Sequence, residues 1–264
     1  MAWQIEREGD VAVVTMNTNK SNNQNEEFFK DLDHTFDLLE KDFSDSSVVL
    51  TGQGKIFSAG LDFQESFSVF GSRDIEKIQS WYYRYRNTNL KIFTYPRPTV
   101  AAINGHAIAG GLVTALNCDL RVASEGKNKY YLNEVPIGIP MPGCYLEIVR
   151  YATNNSTASR ISLFGEEIQN EKAKSLGLIH EIVDGDRLIE EAVRMASLVP
   201  KSSFTSFEFS KKALQQPFLD RIERLDELFD KNIGKAMSSE GSIISLGIKF
   251  EEIMGQRAPW DIRD

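Results

Sequence analysis

Pro98-Thr-Val-Ala-Ala-Ile-Asn-Gly-His-Ala-Ile-Ala-Gly-Gly-Leu-Val-Thr-Ala-Leu-Asn-Cys-Asp119 is the stretch of sequence that predicts the fold. Its apolar run Val100–Ile103, bounded by Pro98 and by Asn104-Gly105, is typical of a buried strand that ends in a turn. A nearly all-apolar helix with Gly110-Gly111 in its first turn follows, and such a helix belongs inside a domain. Glycines leave backbone N–H groups uncovered at the positive end of a helix, so this turn is suited to hold negative charge.

The composition is that of a globular protein and argues against several functional classes. The 264 residues, 41% hydrophobic and 26% charged, predict one large domain or one domain with an appendage. A net charge of −8 leaves no basic face, so we expect no nucleic-acid partner. The first residues lack a signal-peptide pattern and no segment has the apolar length of a transmembrane helix, which predicts a cytoplasmic protein without a membrane partner.

The first half of the chain alternates between strand and helix patterns. Residues 3–8 and 11–16 alternate in polarity around Gly9-Asp10 and predict a β-hairpin. An amphipathic helix is predicted from Asn25 to about residue 43, and a buried strand is predicted at Val48–Thr51. This order favours a parallel sheet with right-handed crossovers, which is an α/β fold.

A helix with an aromatic stripe is predicted next, over Ile75–Leu90. Its Trp81, Tyr82 and Tyr85 recur on one side of the helix. We interpret them as core residues, because aromatic side chains at helical spacing most often pack inside a domain.

A stiff loop and a helical region complete the chain. Strands are predicted at residues 120–123 and 129–133, and Glu134–Gly143 then holds three prolines and two glycines in ten residues. The chain is mostly helical from Cys144 onward. Its last helices are predicted over residues 186–199, 202–215, 217–238 and 240–255. We place a boundary near residue 200, between a core over residues 1–200 and a helical region over residues 201–264.

Three features of the sequence together predict catalysis of proton transfer next to a carbonyl group. They are the Gly60-Leu61 turn, the Gly110-Gly111 helix start and Glu134. Two backbone N–H groups from separate loops can stabilise an enolate oxygen, and a carboxylate can take and return the proton. One oxyanion donor contributes about 10²–10³ in rate, and general acid–base catalysis about 10²–10⁴. Neither effect suffices alone for a carbon-bound proton, so the hypothesis needs both.

Simpler interpretations stay open for each of these features. A pair of glycines at a helix start is usually explained by tight packing. Glu134, considered alone, has the interpretation of a surface carboxylate. Asp62 and Asp119 are interpreted as helix caps or turn formers.

The histidines and cysteines give no sign of a metal or of a nucleophile. We interpret His106 as a packing residue. His34 lies in a predicted amphipathic helix and His180 in a predicted short strand, and neither has a nucleophile pattern around it. Cys118, within the predicted apolar helix, and Cys144 are interpreted as small core residues. No group of His, Asp, Glu and Cys has metal-ligand spacing, so we expect no metal and no disulfide framework.

The sequence resembles the crotonase, or enoyl-CoA hydratase/isomerase, superfamily over nearly its whole length. The motifs that carry the resemblance are Lys55–Asp62, Ala102–Gly111, Asn117–Arg121, Asn133-Glu134 with Gly138, Ala173–Val183 and Arg257–Trp260. The resemblance implies a spiral of ββα turns followed by a helical trimerisation region. It also implies an acyl-CoA thioester as substrate, without a separate cofactor, and a homotrimer or a dimer of trimers.

The resemblance also assigns roles to residues of this chain. The amides of Leu61 and Gly110 would form the oxyanion hole, and Glu134 would move the proton. Residues 63–95 are expected to cover the acyl pocket. The residues expected to bind the rest of the substrate are Asn22, Ser58 and Gly60 along the adenine and pantetheine of coenzyme A, Lys20 and Lys55 at its phosphates, and Asp62 and Gly111 beside the amides.

The number of carboxylates favours an isomerase within this superfamily. Hydratases of the family have two glutamates, and the position of the first is Val113 in this chain, whereas the second is kept as Glu134. One carboxylate suits the transfer of a proton from C2 to C4, and the two motifs around these positions resemble Δ3,Δ2-enoyl-CoA isomerases. A hydratase or another acyl-CoA lyase or hydrolase remains an alternative. A non-catalytic scaffold or RNA-binding protein with the same fold is a further alternative, because a fold does not fix a function.

Overall fold

The computed structural model describes residues 3–263, which form two β-sheets surrounded by helices. The strands are β1 (Gln4–Glu8), β2 (Val11–Met16), β3 (Ser47–Gly52), β4 (Ile56–Ser58), β5 (Thr99–Ile103), β6 (His106–Ile108), β7 (Leu120–Ser124), β8 (Lys129–Tyr131), β9 (Ile168–Gln169) and β10 (Glu181–Val183). The α-helices are α1 (Glu26–Asp42), α2 (Phe63–Gly71), α3 (Ile75–Thr94), α4 (Gly110–Leu116), α5 (Gly143–Ala152), α6 (Asn155–Phe164), α7 (Asn170–Ser175), α8 (Leu188–Ala196), α9 (Phe204–Leu228), α10 (Ile233–Met237) and α11 (Glu240–Met254).

The chain winds through the two sheets as the predicted spiral of ββα turns. The larger sheet has the order β1-β2-β3-β5-β7-β10, and the smaller sheet has the order β4-β6-β8-β9. The pairs β3–β4, β5–β6 and β7–β8 each give one strand to the larger sheet and one to the smaller sheet, and a helix follows each pair. β1 and β2 form the predicted antiparallel hairpin, and every other pair in the larger sheet is parallel. The α/β fold class is therefore confirmed.

Hydrophobic burial on both faces of the larger sheet holds the spiral together. Successive residues of one strand, such as Val49 and Leu50 of β3, lie on opposite faces of the sheet and pack into two different clusters. One face lies against α8, and the other lies against α1, α3 and α4. This double burial explains why the parallel strands are continuous apolar runs.

Local sequence signals determine where α1 begins. Asn25 lies in an extended conformation just before α1, and its side chain accepts a hydrogen bond of 2.9 Å from the N–H of Phe28. A cap of this kind stabilises a helix by about 1 kcal/mol. The predicted start at Asn25 is confirmed, as is the predicted end near residue 43.

The prediction of separate helices over residues 202–215 and 217–238 is wrong. α9 continues through Pro217 and ends at Leu228. Contacts on both sides of the proline compensate for the lost backbone hydrogen bond: Gln215 donates to the Phe93 carbonyl at 2.7 Å, and Phe218 packs edge-on against Tyr151. Sequence spacing predicts a break at a proline but cannot predict these distant contacts.

The segment after α9 folds back onto the core at Asp230. This buried carboxylate accepts hydrogen bonds from the N–H groups of Gly143 and Cys144 at the start of α5 and from the Tyr82 hydroxyl. A short 3-10 turn at Asp230–Asn232 therefore separates α9 from α10. None of the helices within residues 3–263 combines the length and the apolar character that crossing a membrane requires.

Candidate active site

The Gly60-Leu61 turn and the start of α4 are in direct contact. A Cβ atom added to Gly60 would lie 2.7 Å from the Ile108 carbonyl oxygen and 3.2 Å from the Gly110 nitrogen. Gly60 has φ +80°, so both its backbone conformation and its surroundings require glycine. The sequence-predicted convergence of these two turns is therefore present in the structure.

Two backbone N–H groups at this contact have no acceptor among the hydrogen bonds of the described residues. They belong to Leu61 and Gly110, whereas the neighbouring N–H groups of Asp62 and Ala109 donate to the carbonyls of Gln24 and Tyr131. Buried N–H groups are normally paired. Two free donors on adjacent turns are the arrangement that an oxyanion requires.

Gln24 fastens both turns to each other. Its backbone accepts from Asp62 N–H at 3.0 Å and donates to the Gly60 carbonyl at 2.8 Å. Its side chain donates to Thr114 Oγ1 of α4 at 2.8 Å. The sequence analysis did not identify Gln24, because a glutamine in a polar loop carries no pattern that marks it.

Backbone strain is located at the residue before the Gly110 amide. Ala109 has φ +49° and ψ −125°, a conformation that is open almost only to glycine. The hydrogen bond from Ala109 N–H to the Tyr131 carbonyl, at 2.8 Å, holds it there. Strain of this kind costs on the order of 1–3 kcal/mol, and it persists only where surrounding contacts hold the backbone in that conformation.

The side chains of Gln24 and Tyr85 occupy the space next to Gly110. An added Cβ atom would lie 2.1 Å from the Tyr85 hydroxyl and 2.3 Å from Gln24 Oε1. At Gly111 it would lie 2.3 Å from the Ser58 carbonyl oxygen. Tight packing therefore explains the glycine at both positions, and at Gly110 the packing partners are polar.

Glu134 is a buried carboxylate beside these turns. It is 9% exposed, and its Oε2 atom has no hydrogen-bond partner among the residues that the structure describes. Burial raises the pKa of Glu134 to about 7, because the ionised carboxylate loses its hydration. The interpretation of Glu134 as a surface carboxylate is wrong.

The apolar surroundings of Glu134 come only in part from its own loop. Ile137 and Ile139 line the cavity beside it, but Val135 is 37% exposed and contributes no wall. The other apolar walls come from α2 and α3, through Phe67, Phe70 and Tyr85 among others. No helix is predicted at α2 from the sequence, because the segment has only nine residues, although Phe63, Phe67 and Phe70 recur at four- and three-residue spacing.

Two cavities meet at Glu134. The larger, of about 190 Å³, is mostly apolar and extends between α2, β6 and the loop after β8. The smaller, of about 20 Å³, lies between Glu134, α3 and α5. Leu61 and Glu134 line both.

The predicted coenzyme A contacts fall into two groups in the structure. Asn22 and Ser58 are fully buried: Asn22 Nδ2 donates to the carbonyls of Ile56 and Phe57, and Ser58 Oγ donates to the Asn22 carbonyl. Their side chains thus brace two loops. Lys20 and Lys55 are exposed, and neither forms an ion pair within the part of the chain that the structure describes.

Asp62 has the helix-capping role predicted for it, whereas Asp119 connects two elements through its side chain. Asp62 accepts from the N–H of Glu65 at the start of α2. Asp119 accepts from the N–H and the hydroxyl of Thr99 and forms a part-buried ion pair with Lys211 of α9. A carboxylate in these bonds is already satisfied.

The histidine and cysteine interpretations are confirmed in their main point. His106 accepts from the N–H of Lys129, and His180 accepts from the N–H of Arg121. Burial, together with the Arg121 charge, lowers the pKa of His180 to about 4. Cys118 and Cys144 are buried free thiols, and burial raises the pKa of each to about 12. Cys118 follows α4 rather than lying within it.

Comparison with known proteins identifies the family of this chain. Residues 6–247 match the family described as enoyl-CoA hydratase/isomerase. The chain belongs to the enoyl-CoA hydratase/isomerase family. The predicted resemblance is therefore confirmed.

Some relatives within the enoyl-CoA hydratase/isomerase family are named hydratases, and others are named isomerases. A putative enoyl-CoA hydratase of Thermus thermophilus is 37% identical over 218 residues, which cover 80% of this chain and 82% of the relative. The peroxisomal enoyl-CoA delta isomerase 2 of Arabidopsis thaliana is 30% identical over 203 residues, 74% of this chain and 81% of the relative. The crystal structure of human mitochondrial delta3-delta2-enoyl-CoA isomerase superposes with a TM-score of 0.85 and 21% identity, over 98% of this chain and 100% of the other.

Proposed function

We propose that this protein is an acyl-CoA isomerase that shifts a 3-enoyl-CoA double bond to the 2-trans position. The carboxylate of Glu134 takes a proton from C2, and the electrons form an enolate whose oxygen binds the N–H groups of Leu61 and Gly110. The double bond then moves from C3–C4 to C2–C3, and the Glu134 carboxyl returns its proton to C4.

One observation carries the choice of an isomerase over a hydratase. Among the described residues that line the two cavities, Glu134 is the only carboxylate. Val113, at the position of the first hydratase glutamate, is completely buried in the main core cluster and lines neither cavity. Hydration needs one group to activate water and another to protonate carbon, whereas a 1,3-proton transfer needs one group that does both in turn.

The pKa of Glu134 suits this double task. A group with a pKa of about 7 is partly ionised near neutral pH, and its conjugate acid is strong enough to return the proton. Because the base must be ionised, the rate is expected to rise with pH up to about 7 and then to level off.

The coenzyme A part of the substrate is proposed to extend from the oxyanion hole over the two loops that contain Asn22 and Gly60. Lys20 and Lys55 are the exposed, unpaired cations there that suit the phosphates. Asn22, Ser58 and Asp62 would contribute through the loop shape that their side-chain hydrogen bonds maintain. Gly111 would contribute by leaving room for the Ser58 carbonyl.

A substrate panel in deuterated water tests the proposed reaction. An isomerase converts a 3-enoyl-CoA to the conjugated 2-enoyl-CoA, which gains ultraviolet absorbance, and a carboxylate that exchanges its proton with solvent introduces deuterium. A mass gain of one water on a 2-enoyl-CoA, without isomerisation of the 3-enoyl-CoA, would contradict the proposal. Glu134→Gln is expected to lower the rate by about 10²–10⁴, whereas the exposed Glu125→Gln control keeps it.

The hydratase names of several relatives make a hydratase the second candidate. Robust hydration of crotonyl-CoA would favour it. A non-catalytic scaffold or RNA-binding role is the third candidate, and it gains support if the protein binds no coenzyme A ester.

A homotrimer, or a dimer of trimers, is the assembly that we propose. In its support, the C-terminal region exposes apolar side chains such as Leu228 and Phe229 at 56% and 63%. Native mass spectrometry measures the assembly directly, and a monomer at micromolar concentration would contradict the proposal.

A further inference from the structure

The small cavity next to Glu134 is lined by hydroxyl groups that the proposed mechanism does not use. Tyr85 of α3 and Tyr145 of α5 line it together with Glu134. Their rings meet edge-on with centroids 5.2 Å apart, and Trp81 stacks on Tyr85 from the other side, at 5.4 Å. Both tyrosines are therefore fixed by packing.

Two polar atoms beside this cavity have no hydrogen-bond partner within residues 3–263. They are the hydroxyl of Tyr145, which is 4% exposed, and Glu134 Oε2. Buried polar atoms are normally satisfied by protein or by ordered water. The third tyrosine of the cavity, Tyr82, differs because its hydroxyl donates to Asp230 at 2.6 Å.

The size of the cavity matches one water molecule. Its volume is about 20 Å³, and a water site needs about 10–15 Å³ and two to four polar partners. Tyr85, Tyr145 and Glu134 supply three. The Tyr85 hydroxyl also lies beside Gly110, so the site adjoins the oxyanion amides.

We propose that Tyr85 and Tyr145 are positioning residues that bind one water molecule against Glu134 and thereby stabilise its ionised form. The hydroxyls donate to the water or to the carboxylate, and hydrogen bonds to a carboxylate lower its pKa. The pair thus opposes the effect of burial and keeps Glu134 able to act as a base near neutral pH.

Among the described residues, the titratable groups that line the two cavities with Glu134 are Tyr82 and Tyr85 from α3, Tyr145 from α5 and Tyr131 from β8. Cys144 of α5 lies near Tyr85 and Tyr145. Burial raises the pKa of each of these tyrosines and of Cys144, so all are neutral near pH 7. Among the described residues, no lysine or arginine lines either cavity.

The test is an infrared titration of the Glu134 carboxyl group, assigned by its loss in Glu134→Gln. In Tyr85→Phe and in Tyr145→Phe the midpoint is expected to rise by about one pH unit, since one hydrogen-bond donor is removed. Tyr95→Phe is the matched control, because Tyr95 is equally buried and its hydroxyl is also unpartnered, but it lies outside the site. Its midpoint is expected to equal that of the wild type.

The pH profile of isomerisation gives a second measurement. At pH 6 the two variants are expected to lose about tenfold in kcat, because a pKa of Glu134 that is one unit higher leaves about one tenth as much of the base ionised. At high pH, where the base is ionised in every variant, the loss is expected to be much smaller. This readout rests on the proposed function, but the infrared titration does not. Shifted infrared midpoints in a protein without isomerase activity would support the tyrosine pair and contradict the isomerase. Unshifted midpoints in both folded variants of an active isomerase would contradict the tyrosine pair alone.

Discussion

Glu134 combines a catalytic advantage with a cost in stability. Its carboxylate is buried without a hydrogen bond to Oε2, and its pKa of about 7 lies well above the usual value near 4.5. This difference corresponds to roughly 3 kcal/mol of destabilisation when the group is ionised in the folded protein. A residue that burdens the fold in this way is retained more readily for function than for packing.

Glu134→Gln is therefore expected to stabilise the protein at alkaline pH. Below pH 4.5 the carboxyl is protonated in both the folded and the unfolded state, so the amide gains little. Between pH 4.5 and 7 the unfolded state loses its proton first, and the wild type loses stability as pH rises. Urea unfolding should show an advantage for Glu134→Gln of roughly 3 kcal/mol at pH 8.

The exposed Glu125→Gln variant serves as the control for this experiment. Its free energy of unfolding should follow that of the wild type at every pH. If the advantage of Glu134→Gln were the same at pH 5 and pH 8, the raised pKa would not be its cause.

Ala109→Gly is expected to stabilise the fold and to slow the reaction. The substitution relieves the strain at φ +49°, while glycine loses more conformational freedom on folding, so the net gain is about 1 kcal/mol. The Gly110 N–H then becomes less firmly fixed, and kcat should fall several-fold. Thermal unfolding and steady-state kinetics measure the two effects.

Ala107→Gly in the adjacent β6 strand is the control for Ala109→Gly. Ala107 is fully buried and has an ordinary φ, so glycine there should destabilise by about 0.5–1 kcal/mol. A loss of stability in both variants would mean that Ala109 is not strained.

The sequence predicts a site residue where its role requires a recognisable residue type, such as glycine in a tight turn. Gly60, Gly110 and Glu134 were identified because a glycine turn and an isolated carboxylate are visible in the sequence. Tyr85 was interpreted as a core residue, and its ring is indeed buried. Helical spacing cannot show that its hydroxyl lies beside Gly110, because that contact depends on how α3 packs against α4.

At the scale of elements, the site depends on the registration of α4 against the Gly60-Leu61 turn. Gln24 contacts both, through its backbone on one side and through Thr114 on the other. Thr114 Oγ1 in turn lies 2.9 Å from Asn89 Oδ1 of α3. Three elements are thus linked by buried hydrogen bonds, so displacement of one displaces an oxyanion donor.

Gln24→Met is expected to lower kcat about tenfold and to leave KM nearly unchanged. The thioether keeps the packing volume but loses the bond to Thr114, which leaves the Gly110 donor on α4 less constrained relative to the Leu61 donor. A tenfold loss corresponds to about 1.4 kcal/mol. Gln215→Met is the matched control, because Gln215 is as buried and donates to the Phe93 carbonyl outside the site. An equal kcat loss in both variants would indicate a general loss of stability.

Elements with a strong period were predictable, and those held by distant contacts were not. α1 and the parallel strands follow from their spacing and caps. The continuation of α9 through Pro217 does not, because it depends on the contact of Gln215 with Phe93, 122 residues away. The boundary near residue 200 remains a prediction.

At the scale of the whole molecule, acidic groups attach the C-terminal helices to the core, among them the part-buried Asp119 and the buried Asp230. Asp119 binds Lys211 of α9, and Asp230 binds the start of α5 and Tyr82 of α3. The cluster that includes Phe67, Met237 and Leu246 extends this attachment to the wall of the larger cavity. The stability of the C-terminal region and the shape of the cavity are therefore linked.

Asp230→Ala is expected to loosen this attachment and to weaken substrate binding. It leaves the buried N–H groups of Gly143 and Cys144 and the Tyr82 hydroxyl without an acceptor, at a cost of about 2–4 kcal/mol. Tyr82→Phe removes only the third of these bonds and should destabilise by about 1 kcal/mol. Urea unfolding measures both, and limited proteolysis should cleave Asp230→Ala first after residue 228.

Because α10 and α2 share one apolar cluster, KM should rise in Asp230→Ala more than kcat falls. Equal stability of the two variants would mean that the hydrogen bonds from the start of α5 to Asp230 do not hold the helical region in place.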